Sequence, residues 1–413
     1  MLHYKNRRYN ANSDISHTKS VLVIGGGFVA IRCILDLIQQ NTSVSITLVS
    51  INSFFEYYPG MYRVATDSSP MQVCIPFCNI FKDMPVKVIT DKIISFDPAK
   101  RTAIGLSNTT YTADYIILAT GSQNNYFNIE GVIDTSYSLE SVREAFRLKR
   151  HIIDMFEKHT HSEVEETLLA LHFVIVGGGP AGVELAGELA SYTHRLADEY
   201  KIIESLITID IVERNPRLLM QLPERVSKKV ESRIRSLGVN LFLNRTLIRD
   251  DSWTVYLKDM KMGAKTLIWT AGVRPSELSQ NIKGFEYQKN GRIIVDQYLQ
   301  AKGHKNIFIA GDIADTQYSG LAQTALYDGA YLACIIDSDM AKYERPIYKP
   351  NKNAFNIPVG PGWAVLFIHN ILISGRLAWF MRHIIDFRFL LSILPFYQAW
   401  RVFWGKEKNT VIN

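Results

Sequence analysis

The chain has 413 residues, 47% of them hydrophobic and 21% charged, which allows two or three domains with sizeable cores and excludes a disordered or low-complexity protein. Its formal net charge of +6 is modest, so the placement of the charges, not their sum, decides between nucleic acid and anionic lipid as partners. The four cysteines, Cys33, Cys74, Cys78 and Cys334, are too few and scattered for a disulfide framework and fit a reducing compartment, and no apolar run reaches the roughly 18 residues of a membrane-crossing helix.

Residues 1–17 carry Lys5, Arg7 and Arg8 without an apolar segment. They read as a disordered tail and not as a secretory signal, with a short transit sequence left open. Val21-Leu22-Val23-Ile24 is then a short strand that runs straight into Gly25-Gly26-Gly27-Phe28-Val29-Ala30, followed by a helix over 29–39 and a strand over 45–49 that ends beside Ser50. This loop is a phosphate cradle. Gly25 makes the tight turn, Gly27 admits a pyrophosphate to the backbone, Ala30 lets helix pack on strand, and the helix N-terminus faces the negative charge. A further strand over 115–119 ends at Thr120-Gly121, and between 139 and 160 the apolar spacing becomes helical.

A second cradle follows in Phe173-Val174-Ile175-Val176-Gly177-Gly178-Gly179-Pro180-Ala181-Gly182, with Gly177, Gly179 and Gly182 in the same three roles. Its next strand, over 207–213, closes on Glu213. A carboxylate there grips the ribose diol and repels a 2′-phosphate, which favours NADH over NADPH, although Arg214 beside it weakens the preference. The matching position in the first unit is Ser50, a neutral hydroxyl and a weaker ribose partner. A strand over 266–269 ends at Thr270-Ala271-Gly272, and one over 306–310 runs into Gly311-Asp312 ahead of a helix over about 321–337. Two cradles imply two dinucleotides and an α/β fold of two Rossmann-like domains, the second inserted in the first.

From Phe355 onward Trp363, Phe367, Trp379, Phe387, Trp400 and Trp404 are interleaved with Arg376, Arg382, Arg388, Arg401, Lys406 and Lys408. Leu377, Phe380, Met381 and Ile384 fall on one helical face, Arg382 and Asp386 on another. This is the pattern of an amphipathic helix lying in a membrane interface with its basic heads on anionic lipid; packing of the apolar stripe into the core is the alternative. Basic and aromatic residues also suit single strands, but no fold for that use lies here, so no nucleic acid is expected. No His/Cys cluster has metal spacing, so no metal is expected. All four cysteines read as buried and structural.

The chain resembles two-dinucleotide flavoproteins of the pyridine-nucleotide-dependent oxidoreductase superfamily. Within it the chain resembles the type II NADH:quinone oxidoreductases, single-subunit NADH dehydrogenases that pump no protons. The resemblance runs from about residue 20 to the end. It rests on both glycine loops, on Pro59-Gly60-Met61-Tyr62-Arg63-Val64-Ala65, Ala119-Thr120-Gly121-Ser122-Gln123, Ile268-Trp269-Thr270-Ala271-Gly272-Val273, Ile309-Ala310-Gly311-Asp312 and Ala322-Gln323-Thr324-Ala325. It implies FAD on residues 18–127 and 295–352, NADH on 128–294, and a membrane-association segment over 353–413.

The resemblance also implies roles. Thr120, Gly121, Gly272, Gly311 and Ala322 would line the cofactors, Asp312 would hold the ribityl chain, and the helix after Leu321 would point its N-terminus at the flavin ring. Glu184 would lie near the nicotinamide, with a plain helix-start acid equally open, and Gln323 would donate to a quinone carbonyl. Relatives often carry Lys before the segment matching Gly362-Trp363-Ala364; this chain has Pro361. The implied reaction takes hydride from NADH to flavin and two electrons on to a membrane quinone, on a protein held peripherally at the cytoplasmic face. A chain cut before Leu377 is expected to leave the membrane with both cradles working. The oligomeric state, a homodimer included, stays open. So do two other readings: a ferredoxin, rubredoxin or sulfide:quinone type of flavin reductase, and a non-catalytic sensor that binds FAD and NADH.

Overall fold

Four consecutive buried side chains, Val21 to Ile24, leave the first strand no polar face, so it can only lie inside a sheet covered on both sides. The same holds for Phe173 to Val176 ahead of the second cradle. The computed structural model describes residues 18–159, 162–350 and 354–405. The tail expected over 1–17, together with Lys406 and Lys408, lies outside the described residues.

The first unit comprises β1 (Lys19–Ile24), α1 (Phe28–Gln39), β2 (Val44–Ser50), the short helix α2 (Met61–Ala65), β3 (Val86–Thr90) and β4 (Tyr115–Leu118). The chain then crosses to β5 (Tyr137–Ser138), α3 (Val142–His159), β6 (His172–Val176), α4 (Pro180–Tyr200), β7 (Thr208–Glu213), β8 (Asn240–Leu243) and β9 (Thr266–Trp269). It returns with β10 (Ile307–Ile309) and α5 (Ala322–Met340). The first sheet has the order β10-β4-β1-β2-β3 and the second β5-β9-β6-β7-β8, and the neighbours in each are parallel. Because β10 lies on β4, with Ile307 opposite Ile116, the second unit is an insertion in the first.

The carboxyl edges of the two sheets are tied together. Ser122–Asn124 pairs antiparallel with Val273–Pro275, the Ser276 N–H donates to the Gly121 carbonyl at 3.0 Å, and the Asn125 N–H donates to the Gly272 carbonyl at 3.0 Å. Ligands of open parallel sheets bind outside the carboxyl ends of the strands, and here both such edges meet.

The C-terminal segment departs from the expectation of a purely helical stretch. It opens with an antiparallel sheet of β11 (Phe355–Pro358), β12 (Ala364–Ile368) and β13 (Ile371–Gly375). His369 and Asn370, at φ of 46° and 66°, form the two-residue hairpin turn, whose left-handed residues match the twist of the flanking strands. Two helices follow, α6 (Arg376–Ile393) and α7 (Phe396–Phe403). None of the described helices is long and apolar enough to cross a membrane.

The orientation of α6 corrects the sequence reading of Arg382 as a lipid-facing head. Arg382 and Asp386 are 8% and 3% exposed, while Leu377, Phe380 and Ile384 are 61%, 59% and 51% exposed. The charged face points inward because both charges find partners there, which removes most of the cost of burial. On the same inner side Phe389 stacks on Tyr57 at 5.0 Å between centroids and leans on Phe28 at 5.3 Å. The helix thereby packs on the residue that opens α1, directly after the first cradle.

Candidate active site

The first cradle is built as its glycines require. Gly25 has φ +108°, and a Cβ there would lie 2.3 Å from the Ala119 carbonyl oxygen, so only glycine permits this turn. Around Gly27 a Cβ would meet nothing; the backbone opens there onto free space at the N-terminus of α1. Ala30 is fully buried under the strand. Ser50 ends β2 beside the loop, its Oγ 2.5 Å from where a Gly26 Cβ would sit.

The second cradle repeats the design. Gly177 has φ +119°, and a Cβ there would lie 2.8 Å from the Ala271 backbone; Gly179 is open, and a Cβ on Gly182 would strike the Gly177 carbonyl at 2.0 Å. Glu213 is buried. It accepts the Gly178 N–H at 2.6 Å and the Asn215 N–H at 2.7 Å, so the carboxylate stands at the loop. Gly272 lies under the ring of Phe127, where a Cβ would come within 2.9 Å, and the Arg214 guanidinium stands 5.8 Å from that ring centroid. Phe127 was not singled out from the sequence, having no motif around it.

At the joined edges, the Thr120 and Ser276 hydroxyls are 2.5 Å apart, and Gly121 leads to Ser122, whose hydroxyl donates to Asp312 at 2.6 Å. Gly311 donates its N–H to Asp328 at 3.0 Å, and Tyr348 donates to the other Asp328 oxygen at 2.7 Å. Burial pushes the Asp328 carboxyl up to about 6. The sequence reading missed Asp328, which looks like any helix acid until Gly311 folds onto it. Ala322 opens α5, and the exposed Gln323 accepts the Ala354 N–H at 3.2 Å, which holds its amide against the start of the C-terminal segment.

Glu184 lies elsewhere, in the second turn of α4 and buried. Its Oε1 is 3.6 Å from Arg382 Nη1. Burial pushes its carboxyl up to about 7 against the pull of Arg382 and Arg63. Beside it opens a cavity of about 310 Å³ whose walls include Tyr62, Arg63, Glu188, Pro361, Arg382 and His383. Pro361 stands in the wall of this cavity, among charged side chains. Arg63 belongs to the Pro59–Ala65 run noted above, but nothing in the sequence joins it to Arg382.

No group of three or more His, Cys, Asp or Glu able to hold a metal occurs among the described residues. The cysteines are free. Burial pushes the Cys74 thiol up to about 12, but Cys78 is exposed, against the expectation of burial. The short helix Phe77–Ile80 turns Phe77 and Ile80 inward and leaves Cys78 on its outer side.

A fold of two tied parallel sheets, each with an open glycine cradle, defines a two-nucleotide protein. Residues 19–329 match the pyridine nucleotide-disulphide oxidoreductase family, and the chain belongs to that family. It is similar to the type II NADH:quinone oxidoreductase of Staphylococcus haemolyticus, with 25% identity over 91% of this chain and 96% of that protein. A type II NADH:quinone oxidoreductase of Mycobacterium tuberculosis is 26% identical over 89% of this chain and 82% of its own length. Among solved structures, NDH2 from Plasmodium falciparum in complex with NADH superposes with a TM-score of 0.86 at 19% identity, covering 94% of this chain and 97% of that one. The sulfide:quinone oxidoreductase of Aquifex aeolicus gives 0.76 at 17%, covering 95% and 93%. The structural likenesses establish the shared fold.

Proposed function

We propose that the chain is an FAD-dependent NADH:quinone oxidoreductase that works docked on one side of a membrane and moves no protons across it. The observation that carries this reading is the junction of the two carboxyl edges through Ser122–Asn124 and Val273–Pro275, which joins the cradle-bearing edges of the two sheets. The residues present fit the two ligands. The open space over Gly27 and Gly179 is where a pyrophosphate meets backbone N–H groups.

When bound, FAD supplies the redox chemistry, taking up hydride from NADH and delivering two electrons to a quinone. The chain's own residues supply position and charge. Gly25, Gly27 and Ala30 cradle the FAD pyrophosphate, with Ser50 at the ribose. Asp312, fixed by Ser122, holds the ribityl hydroxyls, with Thr120, Gly121 and Gly311 shaping the wall. Ala322 starts a helix whose N-terminal end brings partial positive charge to the same edge. Gly177, Gly179 and Gly182 cradle NADH, Glu213 accepts its ribose hydroxyls, and Gly272 makes room for the Phe127 ring beside the nucleotide. Gln323 faces the quinone with its amide. Glu184, whose proton is exchangeable near neutral pH, holds or passes a proton at the centre.

Docking falls to α6 and α7. Leu377, Phe380, Phe396, Tyr397 and Trp404 are all more than half exposed, apolar surface of the kind that a lipid surface covers. Arg376 and Arg388, both exposed, take the place of Arg382 as heads for anionic lipid. We place the protein on the cytoplasmic face, where its free cysteines stay reduced.

The decisive experiment follows NADH oxidation by the flavin-loaded protein in anionic vesicles with a long-tailed quinone. Turnover that depends on the quinone is expected. Bound flavin reduced by NADH without quinone turnover would overturn the reading in favour of a sensor or a reductase of another acceptor. Asp312→Ala is expected to yield largely colourless protein, read from flavin absorbance; a full flavin complement would refute the placing of FAD.

A further inference from the structure

Arg382 uses every arm of its guanidinium. Nε donates to Asp386 at 2.9 Å, Nη1 to the Asn356 carbonyl at 2.8 Å and Nη2 to the Pro59 carbonyl at 2.7 Å. The same Nη1 stands 3.6 Å from Glu184 Oε1. Asp386 accepts in addition from the Tyr57 hydroxyl at 2.7 Å and from Arg63. The fork therefore ties α6, β11 and the Pro59 turn to one carboxyl on α4. Two guanidiniums, Arg63 and Arg382, stand against two carboxylates, Asp386 and Glu184, so the group is balanced when Glu184 is ionised. Tyr62 also faces it from α2, and Glu188, one turn further along α4, adds a like charge.

We propose that Arg382 is a positioning residue for Glu184, holding its carboxylate by charge from a guanidinium that its own hydrogen bonds to Asp386 and two backbone carbonyls fix in place. The inference rests on the reading above that Glu184 serves the reaction centre. A lysine cannot reproduce it, because a single ammonium lacks the planar fork that reaches Asp386 and two carbonyls at once. The direction of the Glu184 shift agrees: burial raises the carboxyl, and the Arg382 charge beside it opposes that rise most. Since the other face of the same helix carries Leu377, Phe380 and Ile384, one rigid element presents apolar surface outward and sets charge beside Glu184 inward.

The test is an infrared titration of the protonated-carboxyl band in full-length, flavin-loaded protein without NADH, with the Glu184 component identified by its loss in Glu184→Gln. Arg382→Gln is expected to move the midpoint up by about one unit or more, the effect of removing an opposite charge at this range. Asp386→Asn is expected to move it down, since it removes a like charge and frees Arg382 for Glu184. Arg382→Lys should fall between the unmutated protein and Arg382→Gln, and it carries the upward arm of the test if the glutamine variant does not fold. Both charge-removing variants loosen a buried pair and should lower the melting temperature alike, so opposite midpoint shifts separate charge from loosening. Midpoints that stay put, or move the same way in both, overturn the proposal. Shifts as expected in a protein without quinone turnover would leave it standing and count against the proposed function instead.

Discussion

At the scale of single residues the strongest commitments concern two buried glutamates. Glu213 holds the Gly178 N–H, and in the proposed function it also accepts the ribose hydroxyls, so Glu213→Ala should weaken NADH more than NADPH and narrow their ratio of kcat/KM. Loss of the carboxylate's hydrogen bonds to the ribose hydroxyls, about 1.5–3 kcal/mol each for a charged acceptor, is enough to raise the KM for NADH roughly tenfold. Equal kcat/KM for both nucleotides before mutation would remove this reading. Glu184 makes a prediction about stability. In the unfolded chain its proton leaves near the ordinary value of 4.5, in the folded chain near 7, so the folded state binds the extra proton in between. Stability therefore falls as pH rises through that window. Glu184→Gln should flatten this slope in thermal melts; an unchanged slope would show that Glu184 is not the group responsible.

At the scale of elements, α6 shows what a periodic pattern conveys and what it leaves out. Its two faces were legible at helical spacing, because Leu377, Phe380 and Ile384 recur against Arg382 and Asp386. Which face turns inward was not, since that depends on Arg63 and Tyr57, over 300 residues upstream, and no local pattern links them. The strands before the two cradles were readable for the opposite reason: uninterrupted apolar runs closing on glycine admit one arrangement. The β11–β13 sheet was hidden because its strands are only four or five residues long and carry no regular apolar–polar alternation. A prediction follows from the outward face. Phe380→Glu should reduce binding to anionic vesicles by about tenfold or more, the value of burying one such side chain. Folding stability should change by no more than about 0.5 kcal/mol, as at other exposed sites. Unchanged vesicle co-sedimentation would move the docking surface elsewhere.

At the scale of the whole molecule, the C-terminal helices are part of the first domain's own closure, through Asp386 on Arg63 and Phe389 on Phe28. Cutting the chain before Leu377 should therefore do more than release it from membranes. It leaves Arg63 without its carboxylate, a loss of about 3–5 kcal/mol for a broken buried pair, and uncovers Phe28 and Tyr57 beside the first cradle. The truncated chain is expected to lose flavin and melt at lower temperature, whereas Phe380→Glu keeps both; a truncation that retains a full flavin complement would contradict this. The separation of Arg63 from Asp386, 323 residues, also orders events during synthesis. At roughly 5–20 residues per second, Arg63 waits for tens of seconds before its partner exists, and the inserted domain has every strand it needs well before then. The nascent first domain stays open at one aromatic seam throughout, and the helix that finally closes it leaves its own apolar side outward, so completion of the fold and, with the docking proposed above, readiness for the lipid surface arrive with the same stretch of chain.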